Sequence, residues 1–190
     1  MTKEPAVILV YGATEDDRRV IFMREGESYL NYRLRLVDKG ETDKTIETLV
    51  HSLPETKVAV DPDAPGLLLF SGMDDQVMRQ FLGALRDNQV RFELKAMVTE
   101  TNRTWTLAAL LDELKEEHQL MQAWQQLAAV TEKADLLLME PAVLLDKGGF
   151  EADVEATKAY LRRQNMDEIT LDNLTEKRKI LEAHLTRLGY

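Results

Sequence analysis

The 190-residue chain contains no cysteine. This absence excludes disulfide bonds, thiolate nucleophiles and cysteine-ligated zinc or iron–sulfur centres. It also favours a cytoplasmic location, because small domains in oxidising compartments commonly rely on disulfides. The sequence shows neither an amino-terminal export signal nor an apolar run long enough to span a bilayer. We therefore expect no secretion and no membrane partner.

Clusters of basic residues are also missing. Lys and Arg number 24 against 34 Asp and Glu, which gives a formal net charge of −10, and the acidic excess extends over the whole chain. Binding to nucleic acid through phosphates requires clustered Lys and Arg, so we expect no nucleic-acid partner. With 44% hydrophobic and 31% charged residues, the composition is that of a folded globular protein.

Recognisable catalytic and metal-binding motifs are absent as well. The turn Gly12-Ala-Thr14 lacks the glycine spacing of a dinucleotide fingerprint and the lysine of a P-loop. His51, His118 and His184 are isolated in the sequence, whereas a zinc site of the His-Glu-x-x-His type needs two histidines on one helix face. The sequence thus indicates no catalytic residue and no metal ligand, and it identifies no cofactor.

The sequence does contain one order of secondary-structure elements that occurs twice. Apolar runs read as buried strands, alternating runs as half-buried strands, and apolar residues at spacings of three and four as helices. This reading predicts strand, helix, strand, helix in each half, with one further short strand at 57–60 between the halves. The predicted elements are a strand at 6–11, a helix from 14 to about 24, a strand at 29–37, a helix at 46–53, and then a strand at 66–70, a helix around 78–85, a strand at 91–98 and a helix from 104.

The two halves resemble a degenerate duplication. Leu9–Tyr11 aligns with Leu68–Phe70, and after a shift of two residues Ile46 aligns with Leu107. Each half alone is near the lower size limit for independent folding, so the two halves could share one sheet related by pseudo-symmetry. We predict an α/β or α+β fold, with the duplicated domain occupying residues 1–120.

A long helix and an all-helical region are predicted to follow, as a carboxy-terminal region at 121–190. The apolar stripe of the long helix continues through Met121, Trp124 and Leu127 towards Pro141, with a break near Thr131. The stripe is either core or, as an alternative at even odds, an assembly surface. Two further helices are predicted at 150–163 and 171–188.

The loop from Thr99 to Thr104 is the strongest candidate for a ligand site. It follows a predicted strand, opens the long helix, and combines the hydroxyls of Thr99, Thr101 and Thr104 with the Asn102 amide and the Arg103 guanidinium. Helix amino termini favour anions, so a phosphate or carboxylate could bind here. In the competing interpretation, which we weight more, Asn102 or Thr104 only caps the helix.

Part of the second half resembles a known family. The segments concerned are Leu67–Phe70, Leu94–Thr99, Thr101–Leu107 with its Thr-Asn-Arg-Thr-Trp-Thr-Leu sequence, and Leu110–His118. Over residues 67–118 they are similar to an uncharacterised bacterial domain family of unknown function. The resemblance implies a small bacterial α/β module and no assigned activity.

Function is therefore expected to be binding rather than catalysis. The first hypothesis is a cytoplasmic interaction or regulatory module that self-associates through its helical part, with Met121, Trp124 and Leu127 at the interface. The second is a sensor of a small anion at Thr99–Thr104. The third is an enzyme with an unrecognised site, in which His118 or a loop carboxylate acts as a base.

Overall fold

The chain folds as two compact units, residues 1–115 and residues 116–190. The computed structural model describes residues 6–53, 57–140, 149–162 and 168–190. Residues 1–5, Pro141 and Arg163, which enter the expectations above, lie outside these ranges. The first unit contains a four-stranded mixed sheet with helices, and the second is helical in its described part, which confirms the predicted α/β fold with a helical end.

The first unit repeats strand, helix, strand, short 3-10 turn and helix. Its first half consists of β1 (Ala6–Tyr11), α1 (Arg18–Leu30), β2 (Tyr32–Val37), a 3-10 turn (Lys39–Glu41) and α2 (Ile46–His51). Its second half consists of β3 (Leu67–Ser71), α3 (Asp75–Asp87), β4 (Leu94–Met97), a 3-10 turn (Asn102–Thr104) and the beginning of α4 (Leu107–Leu137).

The sheet has the strand order β2-β1-β3-β4. Within each half the two strands are parallel, whereas β1 and β3 meet antiparallel with Leu9 opposite Leu69. Two parallel pairs joined antiparallel are related by a pseudo-twofold axis between the central strands. Helices α1 and α3 cover one face of the sheet, and α2 with the beginning of α4 covers the other, so the central strands are apolar on both faces.

The pseudo-symmetry extends to the turns that precede α2 and α4. Thr45 and Thr106 form an isolated antiparallel bridge, in which Ile46 N–H donates to Trp105 O (3.0 Å) and Leu107 N–H donates to Lys44 O (3.1 Å). These mutually equivalent bonds confirm the alignment of Ile46 with Leu107.

The predicted alignment of the strands is wrong by one residue. Gly12 and Gly72 follow β1 and β3 with φ of 76° and 66°, so Leu9 corresponds to Leu69 rather than Leu68. Positive φ favours glycine at both turns. A run of three leucines gives no register by itself, which explains the error.

Two local expectations in the first half also need correction. Helix α1 continues to Leu30 and ends at Asn31 with φ of 51°, so β2 begins only at Tyr32. Gly26 lies inside this helix, where an added Cβ would lie 2.6 Å from Tyr32 Oη. Residues 57–60 form no strand, and Ala59 instead accepts from Lys39 N–H (2.8 Å) and donates to the Asp38 carboxylate.

The second unit packs the distal part of α4 with α5 (Phe150–Leu161) and α6 (Leu171–Arg187). Its core includes Leu127, Phe150 and Leu181. Helix α4 is unbroken at Thr131, contrary to expectation, and the buried Thr131 hydroxyl is satisfied by donating to Leu127 O (2.7 Å) inside the helix. In the described ranges no helix is both long and apolar enough to cross a bilayer.

Candidate functional site

The loop Thr99–Thr104 directs most of its polar groups towards itself. Thr99 N–H donates to Asn102 Oδ1 (2.8 Å), and Asn102 N–H donates back to Thr99 Oγ1 (3.2 Å). The Asn102 amide also donates to Met97 O (2.9 Å). Thr101 and Thr104 are exposed at the surface. The loop therefore brings the predicted residues together, but Thr99 and Asn102 already satisfy each other's hydrogen-bonding groups.

Arg103 is held by two carboxylates. Its guanidinium donates to Glu100 (3.1 Å) and to Glu47 on α2 (3.1 Å). The Nε atom is buried and has no hydrogen-bond partner within the described residues. A ligand anion at Arg103 would have to compete with both carboxylates for the same donors.

The first half contains the same turn with other residues. Gly40 N–H donates to Asp38 Oδ1 (2.7 Å), and Asp38 N–H donates to Glu41 Oε2 (3.1 Å). Asp38 and Glu41 stand where the second half has Thr99 and Asn102. A reciprocal capping pair at this turn therefore belongs to the repeated architecture, and it stabilises the turn whether or not a ligand binds.

A buried ion pair in the first half was missed by the sequence analysis. The alternation of the predicted strand at 29–37 is typical of a half-buried strand with Arg33 and Arg35 on its polar face. In the structure, α2 and the turn before it cover that face. Arg35 is 0% exposed and Glu41 3% exposed, and their side chains lie 2.8 Å apart. Arg33 donates to Val50 O (2.8 Å). Only tertiary packing distinguishes such a covered face from a solvated one.

The groups that surround Glu41 lower the pKa of its carboxyl group. Burial alone would raise the pKa of Glu41, but hydrogen bonds from Arg35, Lys44 and the Asp38 N–H lower that pKa to about 2. Arg35 Nη1 also donates to Leu36 O (3.3 Å). At the equivalent place in the second half, Ala96 replaces the arginine and the Asn102 amide donates to Met97 O instead.

The three predicted interface residues differ in exposure. Met121 is 42% exposed, whereas Leu127 is 0% exposed within the core of the helical unit. Trp124 is half-buried against the same core. Leu127 thus packs inside its own chain, and Met121 is the most accessible of the three.

The histidines occupy three different environments. His118 exchanges a hydrogen bond with Gln122 (2.7 Å) on the exposed surface of α4, and His51 is exposed at the end of α2. His184 Nε2 lies 2.8 Å from Asp153 Oδ2, so it has the partner carboxylate that the sequence did not reveal. That partner lies 31 positions away in sequence, between α5 and α6, which explains why it was missed.

The acidic residues at the beginnings of α1 and α3 cap these helices. Asp17 accepts from Arg19 N–H (2.8 Å), and Asp74 accepts from Gln76 N–H (2.9 Å). The pKa of Asp17 is lowered, chiefly by the hydrogen bonds from the Arg19 side chain. In the part of the chain that the structure describes, no group of three His, Asp or Glu side chains could hold a metal ion.

Comparison with known proteins identifies only a domain family. No curated protein and no solved structure matches the chain. The family match begins at β3 and includes α3, β4, the Thr99–Thr104 loop and the first part of α4, which agrees with the resemblance expected over residues 67–118. Residues 67–121 match the family described as Domain of unknown function (DUF3783).

Proposed function

We propose that the protein is a non-catalytic interaction module that pairs with a second copy of itself through the helical unit. The observation that carries this proposal is the exposure of large apolar side chains along one side of α4 and in the turn after it. Met121 is 42% and Leu136 61% exposed, and Met139 in the turn after the helix is 75% exposed. Soluble surfaces carry isolated apolar residues, but three large ones along one helix and the turn that follows it favour an interface.

The stripe follows one side of the helix. Four turns and about 60° of rotation separate Met121 from Leu136, and Ala128 and Ala129 lie between them on the same side. The same side also carries the exposed polar residues Gln125 and Glu132, which an antiparallel pair would place opposite each other. Leu127 and Ala134 point to the opposite side, into the core. The outer stripe is defined here as Met121, Ala128, Ala129 and Leu136. None of these four belongs to the apolar core of the unit.

The order of residue sizes along the outer stripe suits an antiparallel pair of helices. If two α4 helices cross at Ala128 and Ala129, the small side chains allow close approach, and Met121 of one copy meets Leu136 of the other. Such a contact is isologous, as in most homodimers. A single helix pair lies at the small end of interface sizes, below roughly 1,200 Å² in total, so we expect a weak, concentration-dependent dimer.

Light scattering coupled to size exclusion over a concentration series tests the proposal. The wild type is expected to shift from monomer to dimer, and the double variant Met121→Glu, Leu136→Glu to stay monomeric with an unchanged circular dichroism spectrum. Tyr29→Glu is the matched control, because Tyr29 on α1 is 86% exposed and lies outside the helical unit. A wild type that stays monomeric, or a double variant that still dimerises, contradicts the proposal.

We further propose a bacterial cytoplasmic setting for this module. The absence of cysteine supports it, because a chain of this kind needs no oxidising compartment to fold. Fractionation of bacterial cells that express the chain would check the location.

A further inference from the structure

A second site lies in the α/β unit, beside Gly12 at the carboxyl end of β1. A cavity of about 460 Å³ opens there, in the size range of small-molecule pockets. The residues that line it are Gly12, Arg19, Pro62, Ala64, Gly66, Arg91, Phe92 and Glu93. In sheets built from β-α-β units, the carboxyl ends of strands are the usual position for ligands.

One wall of this cavity is rigid. The Arg19 guanidinium donates to both carboxylate oxygens of Asp17, to Arg91 O (3.3 Å) and to Gly12 O (3.5 Å), and its Cζ lies 4.5 Å from the centre of the Phe92 ring. These bonds occupy four of the five N–H groups of the arginine and leave one on Nη1. The bond to Arg91 O also fixes the backbone of Arg91.

Two charged side chains of the wall remain unpaired. Arg91 and Glu93 are both exposed, and neither side chain has a hydrogen bond or ion pair within the described residues. Asp17 already balances the charge of Arg19. The cavity therefore offers one free cation and one free anion on the same short segment, with the Phe92 ring and Pro62 as apolar surface.

The pseudo-twofold axis provides an internal control. The equivalent place in the second half, beside Gly72, holds a cavity of about 140 Å³ without any arginine. There Gln76 takes the position of Arg19 after the capping aspartate, and Asn31 takes the position of Phe92. The fold itself therefore requires neither the larger volume nor the arginines.

We propose that this cavity binds a small zwitterion, a carboxylate that also carries an amino group, as free amino acids do. The carboxylate would pair with Arg91 and accept from the remaining Nη1 hydrogen of Arg19, since guanidinium groups bind carboxylates strongly. The ammonium group would pair with Glu93, and the apolar part of the ligand would lie along Phe92 and Pro62. A simple anion should bind more weakly in this cavity, because the Glu93 carboxylate repels it.

Titration of the full chain with individual amino acids, followed by thermal shift and by NMR of the backbone amides, tests this inference. At least one amino acid is expected to raise Tm and to move the resonances of Gly12 and Gly66, while succinate and inorganic phosphate do not. Arg91→Gln and Glu93→Gln are each expected to weaken that amino acid's binding about tenfold or more. Both side chains are exposed, so both variants should fold.

Arg79→Gln and Glu25→Gln are matched controls, since both residues are exposed on helices of the same unit and line no part of the cavity. They are expected to leave binding unchanged. The inference is overturned if no amino acid binds, if phosphate or succinate binds equally well, or if binding survives in Arg91→Gln. It is independent of self-association, which involves the helical unit.

Discussion

At the scale of single residues, Gly26 and Tyr32 fix how closely α1 approaches the sheet. The Tyr32 hydroxyl donates to Met23 O, and burial raises the pKa of Tyr32. A Cβ at position 26 would lie 2.6 Å from Tyr32 Oη but 3.5 Å from Cζ. The hydroxyl alone therefore requires glycine at this position.

This contact predicts that the effect of Gly26→Ala on the free energy of unfolding depends on the residue at position 32 and changes sign when Tyr32 is replaced by phenylalanine. In the wild type the substitution should destabilise by about 1–3 kcal/mol through steric overlap. In a Tyr32→Phe background it should stabilise by about 0.5–1 kcal/mol, because alanine is the better helix former. Urea unfolding followed by Trp105 fluorescence, in a Trp124→Phe background that silences the other unit, measures both. Equal effects in the two backgrounds would contradict this account.

The buried pair of Arg35 and Glu41 predicts a pH dependence. Because the folded-state pKa of Glu41 lies near 2, below its ordinary 4.5, its contribution is complete above about pH 4.5 and disappears as the pH falls towards 2. The free energy of unfolding should fall by an amount on the order of 2 to 3 kcal/mol. Urea unfolding at a series of pH values measures it.

The double variant Arg35→Met, Glu41→Gln is the control for this titration. It removes both charges, approximately preserves volume, and keeps an acceptor for Asp38 N–H. Other carboxylates with lowered pKa values, such as Asp17 and Asp38, titrate in both proteins. The free energy of unfolding of the variant should therefore fall less steeply than that of the wild type as the pH is lowered. If the two proteins lose stability in parallel, Glu41 contributes nothing to the pH dependence.

At the scale of elements, the Thr99–Asn102 turn links β4 to α4. Asn102→Ala removes an acceptor from Thr99 N–H and a donor from Met97 O, so we expect a loss of about 1–2 kcal/mol. Thr101→Ala, at an exposed position in the same turn, should stay within about 0.5 kcal/mol. Urea unfolding compares the two, and a neutral Asn102→Ala would indicate that these bonds add no stability.

The boundaries of elements were predictable only where local chemistry determines them. Asp74 and Thr45 cap α3 and α2, and Ile46 begins α2 as its spacing predicts. The end of α1 could not be predicted, because the alternation at 29–37 is typical of a strand and only the left-handed Asn31 separates the helix from β2. The turn at Asn102 was read as a cap of the long helix, whereas Thr106 takes that place by accepting from Ala109 N–H (3.2 Å).

At the scale of the whole molecule, the duplication separates what the fold requires from what one half adds. Features shared by both halves, such as the positive φ of Gly12 and Gly72, satisfy the fold. Features present in one half only, such as the buried Arg35 or the arginines beside the larger cavity, need another explanation. The cavity beside Gly12 differs from its counterpart beside Gly72, the outer stripe differs from the rest of α4 by its exposed apolar side chains, and neither has a motif in the sequence.

The sequence by itself determined the class of fold, the repeated order of elements, the helical end and the family resemblance of residues 67–118. Periodicity and composition carry that information, because they report which faces must be buried. Only the tertiary structure decided which polar residues are covered, as for Arg35, and which apolar residues remain outside, as for Leu136 in contrast to Leu127. Burial depends on contacts between residues that are distant in the chain, and no local pattern encodes those contacts.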